Sequence, residues 1–207
     1  MRFIDLSQTI DPQTPTYPGE TPMRLWRERE LDVDGHAAYR LESGFHVATH
    51  IDMPMHFVDD SRTCADFPLD CFIGRGVMLD VRGENPIRCK PQYDTVIAKG
   101  DVVLLYTGHD ALFRSDPEKY YTQYPILDMD FVAYLAERQI KILGMDCCSP
   151  DYAPYDAHKL LLAQGIFILE NLTNLGALLG LDDFEVLAFP LKIAAEGSFV
   201  RAVARSL

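Results

Sequence analysis

The chain has 207 residues, 48% hydrophobic and 24% charged, with a formal net charge of -12. That length supplies ample apolar residues for the core of one domain spanning 1–207, and the composition is ordinary for a soluble globular protein. The acidic balance and the absence of clustered Lys and Arg exclude nucleic acid and anionic membrane as expected partners. Cysteines 64, 71, 89, 147 and 148 form no CxxC pair and are odd in number, which points to reduced thiols and a cytoplasmic protein. The N-terminal MRFIDLSQTI carries no signal-type apolar region, and the longest apolar stretches fall short of the ~20 residues of a membrane span.

Residues 2–10 alternate apolar and polar and predict a first strand. DPQTPTYPGETP follows, with four prolines in twelve residues, and reads as an ordered loop. WRERELDV (26–33) predicts a polar-faced strand, and residues 36–45 lead into the segment HVATHIDMPMHF. FIGRGVMLDV (72–81) predicts a strand, and the apolar run at 101–106 predicts one buried on both faces. DMDFVAYLAERQ (128–139) has helical spacing with an Asp start and feeds a strand over 140–145. A second helix is expected over 156–164, a short buried strand over 166–169 and a short helix over 172–179. Strands over 186–191 and 198–204 close a mixed α/β protein. No internal repeat and no Gly-rich phosphate loop is present, so a nucleotide cofactor is not expected.

The segment from His46 to Phe57 concentrates the chemistry. His46, His50, Asp52 and His56 fall at even offsets, and the chain holds six histidines in all. Even offsets place four side chains on one side of an extended chain. A straight strand from 46 to 52 would nonetheless span ~20 Å, so the segment must curl if these groups share one centre. Gly44 and Pro54 argue against a regular element throughout. Imidazole and carboxylate together are the donors that zinc, manganese or iron require, and the segment alone is an incomplete set. Two later residues can complete it: His158 in the second helix, and Glu170, which ends the apolar run GIFIL. A metal would satisfy a buried carboxylate there, and Asn171 behind it could orient that carboxylate.

These residues carry a resemblance. HVATHIDMPMHF resembles the hallmark HxGTHxDxPxHF of the cyclase-family metal hydrolases, among them bacterial kynurenine formamidases and isatin hydrolases, with Ala48 in place of Gly. The likeness extends to DLS and YPG near the N-terminus, TG after a buried strand, GMDxxSPD, the His158–Glu170 pair and the final FPLKI and GSFVRAVA, and so covers nearly the full length.

The resemblance implies a swivelling β/β/α mixed-sheet fold and a dimer or tetramer whose pockets a neighbouring subunit completes. It implies one or two Zn2+ ions, with Mn2+ as the alternative. His46, His50 and Asp52 correspond to ligands of one ion and His158 to a ligand of the second. Asp52 and Glu170 correspond to carboxylates shared between them, and His56 to the proton-transferring catalytic residue. The implied reaction is hydrolysis of an amide-type C–N bond in a small molecule, an aryl formamide first and a lactam or lactone second. Tyr17 of YPG stands where formamidases carry a Trp, as a candidate wall for an aromatic substrate, and Phe45, Phe57 and His109 are further lining candidates. Two other readings compete. A thiol hydrolase would use Cys147 or Cys148 beside Asp146. A non-catalytic metal- or ligand-binding module would keep the scaffold alone.

Overall fold

A strand that is hydrophobic at every position has to be covered on both faces, and the run from Val102 accordingly forms the middle of a nine-stranded sheet. The computed structural model describes residues 1–181 and 183–207. Its strands are β1 (Phe3–Asp5), β2 (Arg24–Arg29), β3 (Ala38–Glu42), β4 (His50–Asp52), β5 (Ile73–Asp80), β6 (Val102–Tyr106), β7 (Ile142–Met145), β8 (Phe167–Glu170), β9 (Phe184–Leu187), β10 (Gly197–Phe199) and β11 (Val203–Ser206). The helices are α1 (Leu31–Asp34), α2 (Tyr93–Val96), α3 (Leu112–Ser115), α4 (Pro117–Thr122), α5 (Met129–Glu137) and α6 (Asp156–Ala163). The sheet runs β1-β11-β9-β5-β6-β7-β8-β4-β10, while β2 and β3 form a separate ribbon. Pairings from β5 through β8 are parallel and the others are antiparallel, as expected for a mixed α/β fold.

Chain connectivity forces this sheet to curl. β10 lies at one end of the strand order and β11 next to the other, yet only residues 200–202 separate them. Laid flat, nine strands would span ~38 Å at ~4.8 Å per spacing, whereas the stretch from Phe199 to Val203 can reach only ~14 Å. The two ends must therefore approach each other. At this seam Val200 N–H donates to Thr49 O and Leu6 N–H donates to Ala202 O.

The curl separates two cores. Val102, Leu104, Ile142 and Leu169 point into the enclosed face, where Ile4, Leu6, Ile51, Phe184, Val186 and Ala204 meet them. Alternate residues Val103, Leu105, Leu143 and Ile168 point outward and are covered by Phe131, Val132 and Leu135 of α5 and by Ala157, Leu161 and Leu162 of α6. Gly144 in β7 has no room for a side chain, since a Cβ there would lie 2.5 Å from the Leu104 side chain.

The expected strands over 72–81, 101–106 and 140–145 and the helices over 128–139 and 156–164 are all present with ends trimmed, and the strand expected over 166–169 lies one residue further on, at Phe167–Glu170. Elsewhere the structure differs. The strand expected over 2–10 stops at Asp5, because the chain crosses from β11 to a single bridge between Ser7 and Leu172. The strand expected over 26–33 begins at Arg24 and gives way to α1, which Gly35 ends in a left-handed conformation. Residues 172–179 form only a one-turn 3-10 segment at Leu175–Leu178, and the strand expected over 186–191 lies at Phe184–Leu187. The strand expected over 198–204 divides into β10 and β11 at the seam.

Candidate metal centre

Alternation along two neighbouring strands sets the floor of the site. Ile51 of β4 enters the enclosed core, so His50 and Asp52 face the side that carries the helices. Phe167 and Leu169 of β8 also point inward, which leaves Ile168 and Glu170 on that same outer face. Antiparallel register puts His50 opposite Glu170 and Asp52 opposite Ile168. α6 lies over this face and presents His158 from its first turn.

His46 reaches the floor through a sharp bend. Ala48 adopts φ 51°, in the left-handed region, and its carbonyl accepts a hydrogen bond from His50 Nδ1 at 2.8 Å. That bond places the proton on Nδ1 and leaves His50 Nε2 as a lone-pair donor toward the floor. The bend also brings His46 Nδ1 to 2.9 Å from Asp52 Oδ1. Gly197 of β10, paired with Asp52, lets the His46 ring settle there, since a Cβ would stand 3.0 Å from its Cε1.

The result is two overlapping triads that share Asp52. His46, His50 and Asp52 converge on one point, and Asp52, His158 and Glu170 on another, with ligand atoms in each set within 4.8 Å of one another. His50 Nε2 lies 3.4 Å from both Asp52 Oδ1 and Glu170 Oε2, and His158 Nε2 lies 3.3 Å from Glu170 Oε1. His50 Nε2, Asp52 Oδ1 and Glu170 Oε1 are buried without a hydrogen-bond partner, so these approaches are convergence rather than bonding. Buried polar atoms left in this way are costly, and divalent cations held by the two triads would satisfy all three. The donor set fits such an ion.

Charge follows the same plan. Burial would raise the Asp52 carboxyl, but the imidazoles of His46, His50 and His56 hold it well below the usual carboxylate range. Burial alone would lower His46 and His158, yet neighbouring carboxylates push both up to about 10, chiefly Asp52 for His46 and Asp151 with Glu170 for His158. His56 behaves oppositely: burial pushes it down to about 4 despite the attraction of Asp52, well below the ordinary 6.5. Its ring stacks on His46 with centroids 4.0 Å apart, and it belongs to neither triad.

A cavity of about 210 Å3 opens over the floor. His46, His50, Asp52, His56, His158 and Glu170 all line it, as does Tyr17, whose ring meets Tyr121 edge to face at 5.5 Å. Phe57 lines it too, whereas Phe45 packs on Phe199 and His109 stacks on Tyr120, both away from the cavity. Asn171 does not hydrogen-bond Glu170. Its amide lies 3.4 Å from His50 and its Oδ1 accepts from the Tyr120 hydroxyl.

Asp146 accepts hydrogen bonds from Thr107 and Gly108 and is a structural acid. Burial pushes the thiols of Cys147 and Cys148 far above their ordinary range, which removes the thiolate that a cysteine nucleophile needs. The sequence reading missed Tyr121, Tyr124 and Tyr155 in the wall, and Asp151 and Glu196 behind the histidines. Tyrosines carry no periodic mark of a cavity, and both acids lie in loops. The Asp of SPD, seven residues before His158, was the one available signal.

A curled mixed sheet with a paired histidine–carboxylate centre on its helical face defines the class. Comparisons with known proteins agree. The Cyclase family model ("Putative cyclase") matches residues 4–152. A kynurenine formamidase of Bacillus mycoides is 31% identical over 213 residues, covering 100% of this chain and 98% of the relative. One from Bacillus cereus is 31% identical over 212 residues, covering 99% and 98%. Among solved structures, isatin hydrolase A from Labrenzia aggregata superposes with a TM-score of 0.83 at 25% identity, covering 98% of this chain and 93% of that one. Isatin hydrolase A from Ralstonia solanacearum gives 0.87 at 23% identity, covering 98% and 91%. The chain belongs to the cyclase family.

Proposed function

We propose that the protein is a metal-dependent hydrolase that cleaves an amide-type C–N bond in a small molecule, with an aryl formamide as the substrate class. The observation that carries this reading is the pair of triads, whose buried unpartnered atoms converge beneath an aromatic-walled cavity. His46, His50, Asp52, His158 and Glu170 would hold one or two Zn2+ ions, or Mn2+. Such an ion supplies Lewis acidity, making water acidic enough to act as a nucleophile near neutral pH and polarising the carbonyl.

The chain's own groups do the rest. His56, kept neutral at physiological pH by burial, accepts a proton during attack and returns it to the leaving nitrogen. Tyr17 and the neighbouring tyrosines stack on the aryl ring and limit water around the scissile bond. The full-length formamidase relatives support the substrate class. Hydrolysis of a lactam such as isatin is the second reading, favoured by the Labrenzia aggregata structure.

The protein works as a single-domain homodimer or homotetramer in the cytoplasm. The β2–β3 ribbon supports association, since Leu31, Val33, Tyr39 and Leu41 stand exposed on it and on the helix at its end. Among the described residues no helix is long and apolar enough to cross a membrane.

A metal-reconstituted assay against N-formylkynurenine, isatin and simple aryl formamides tests the reading. Turnover of a formamide is expected, with His56→Ala retaining metal and losing ~10²–10⁴-fold in kcat. Tightly bound metal with no hydrolysis of any substrate would favour a binding module. Equal metal loss in His56→Ala and His50→Ala would instead move His56 into the ligand set.

A further inference from the structure

The structure assigns a second task to Asp151: we propose that it is the positioning residue that fixes which nitrogen of His158 faces the metal centre. This rests on the metal-centre reading above. The Asp151 carboxylate is buried beside the floor, outside both triads. One of its oxygens, Oδ1, accepts from His158 Nδ1 at 2.6 Å. The other, Oδ2, accepts from the backbone N–H of Ala157 at 2.7 Å and of His158 at 3.4 Å. α6 needs this second contact, because its N-terminal flanking residue, Tyr155, sits in a left-handed conformation and offers no side-chain cap.

One buried carboxylate thus ties the ring and the backbone of the same histidine. With the Nδ1 proton committed to Asp151, the Nε2 lone pair is left for the side where Asp52 and Glu170 wait, 3.9 and 3.3 Å away. An amide cannot reproduce this. Asparagine has one acceptor for two sets of donors. If its oxygen caps α6, its NH2 meets His158 Nδ1 and demands the opposite tautomer, which puts a proton on the ligating nitrogen. If its oxygen serves the histidine, its NH2 opposes the helix amides.

The test is competitive chelator titration of the full-length protein with Zn2+ as the only added ligand, run on wild type, Asp151→Asn and Asp151→Ala. Zn2+ affinity should fall about 10–100-fold in Asp151→Asn, with its far-UV spectrum unchanged. Unchanged affinity in Asp151→Asn, beside a lowered Tm in Asp151→Ala, would reduce Asp151 to a helix cap and overturn the proposal. A second measurement needs no variant. In Zn2+-loaded wild type, histidine 15N spectra should show His158 bound through Nε2 and protonated on Nδ1. Ligation through Nδ1 would overturn the proposal as well. Wild type that takes up neither Zn2+ nor, in a parallel titration, Mn2+ would overturn the metal-centre reading itself, and this inference with it.

Discussion

The floor of the cavity and its wall are built by different rules. His50, Asp52 and Glu170 sit on two adjacent strands, so register and side-chain alternation fix their mutual geometry. Tyr17, Tyr121, Tyr124 and Tyr155 come from a proline-rich loop, the end of α4, the turn after it and the bend before α6. Their placement depends on how remote segments pack. A strand-built floor holds a reaction type steady, while a loop-built wall can change its substrate at little structural cost.

The largest expected effect tests the floor at its shared member. Asp52 belongs to both triads, so Asp52→Ala should lose bound metal from both and turnover by ~10³-fold or more. Elemental analysis after gel filtration, with kcat/KM, checks this. If one ion is retained at full strength, the floor is not a single unit.

pH separates the two regions next. His46 and His158 are raised from 6.5 to about 10 in the metal-free fold. A raised folded pKa contributes stability that is fully present below about 6.5 and is lost as pH rises through about 10. Chelated protein should therefore show a falling Tm across that window, and the stabilisation given by Zn2+ should grow as its ligands lose their protons. Thermal unfolding with and without chelator reads both trends. Tyr17, Tyr121 and Tyr124 are pushed upward by burial, so the wall stays neutral while the floor titrates.

A smaller effect belongs to the wall alone. Tyr17→Leu should raise KM for an aryl formamide about 2–10-fold with metal content unchanged, the scale of one lost aromatic contact. Steady-state kinetics beside elemental analysis would show it, and a loss of metal would tie wall to floor. The smallest effect concerns Ala48. Glycine at φ 51° relieves strain but adds freedom to the unfolded chain, so Ala48→Gly should change stability by about 1 kcal/mol or less, measured by urea unfolding.

The sequence disclosed the floor more fully than the wall for a physical reason. The shared parity of 46, 50, 52 and 56 flagged a centre, but only 50 and 52 lie on a strand. The left-handed Ala48 and the 3-10 turn at Pro54–His56 curl the other two in, as the span of an extended chain required. Glu170 was visible because an acid at the end of an apolar strand demands a partner. β3 was not visible, since the alternation of Tyr39, Arg40, Leu41 and Glu42 is only four residues long and nearly all the strand is exposed. Asp151 and Glu196 were hidden for another reason. Glu196 meets His46 at 3.3 Å across 150 residues of sequence, and Asp151 meets His158 at 2.6 Å because the loop before α6 folds back on its first turn. The division of 198–204 into two strands could not be read locally either, because residues 200–202 are as apolar as an unbroken strand except for Arg201.

Those three seam residues act as the clasp of a hoop. On one side of them Gly197 pairs with Asp52, and on the other Ala204 pairs with Ile4 and with Val186. Tightening the hoop at the metal floor therefore draws on strands at its far rim, which share no residue with the cavity. An ion held by His50 and Asp52 would steady the whole ring, and a loosened β1 or β11 would slacken its hold.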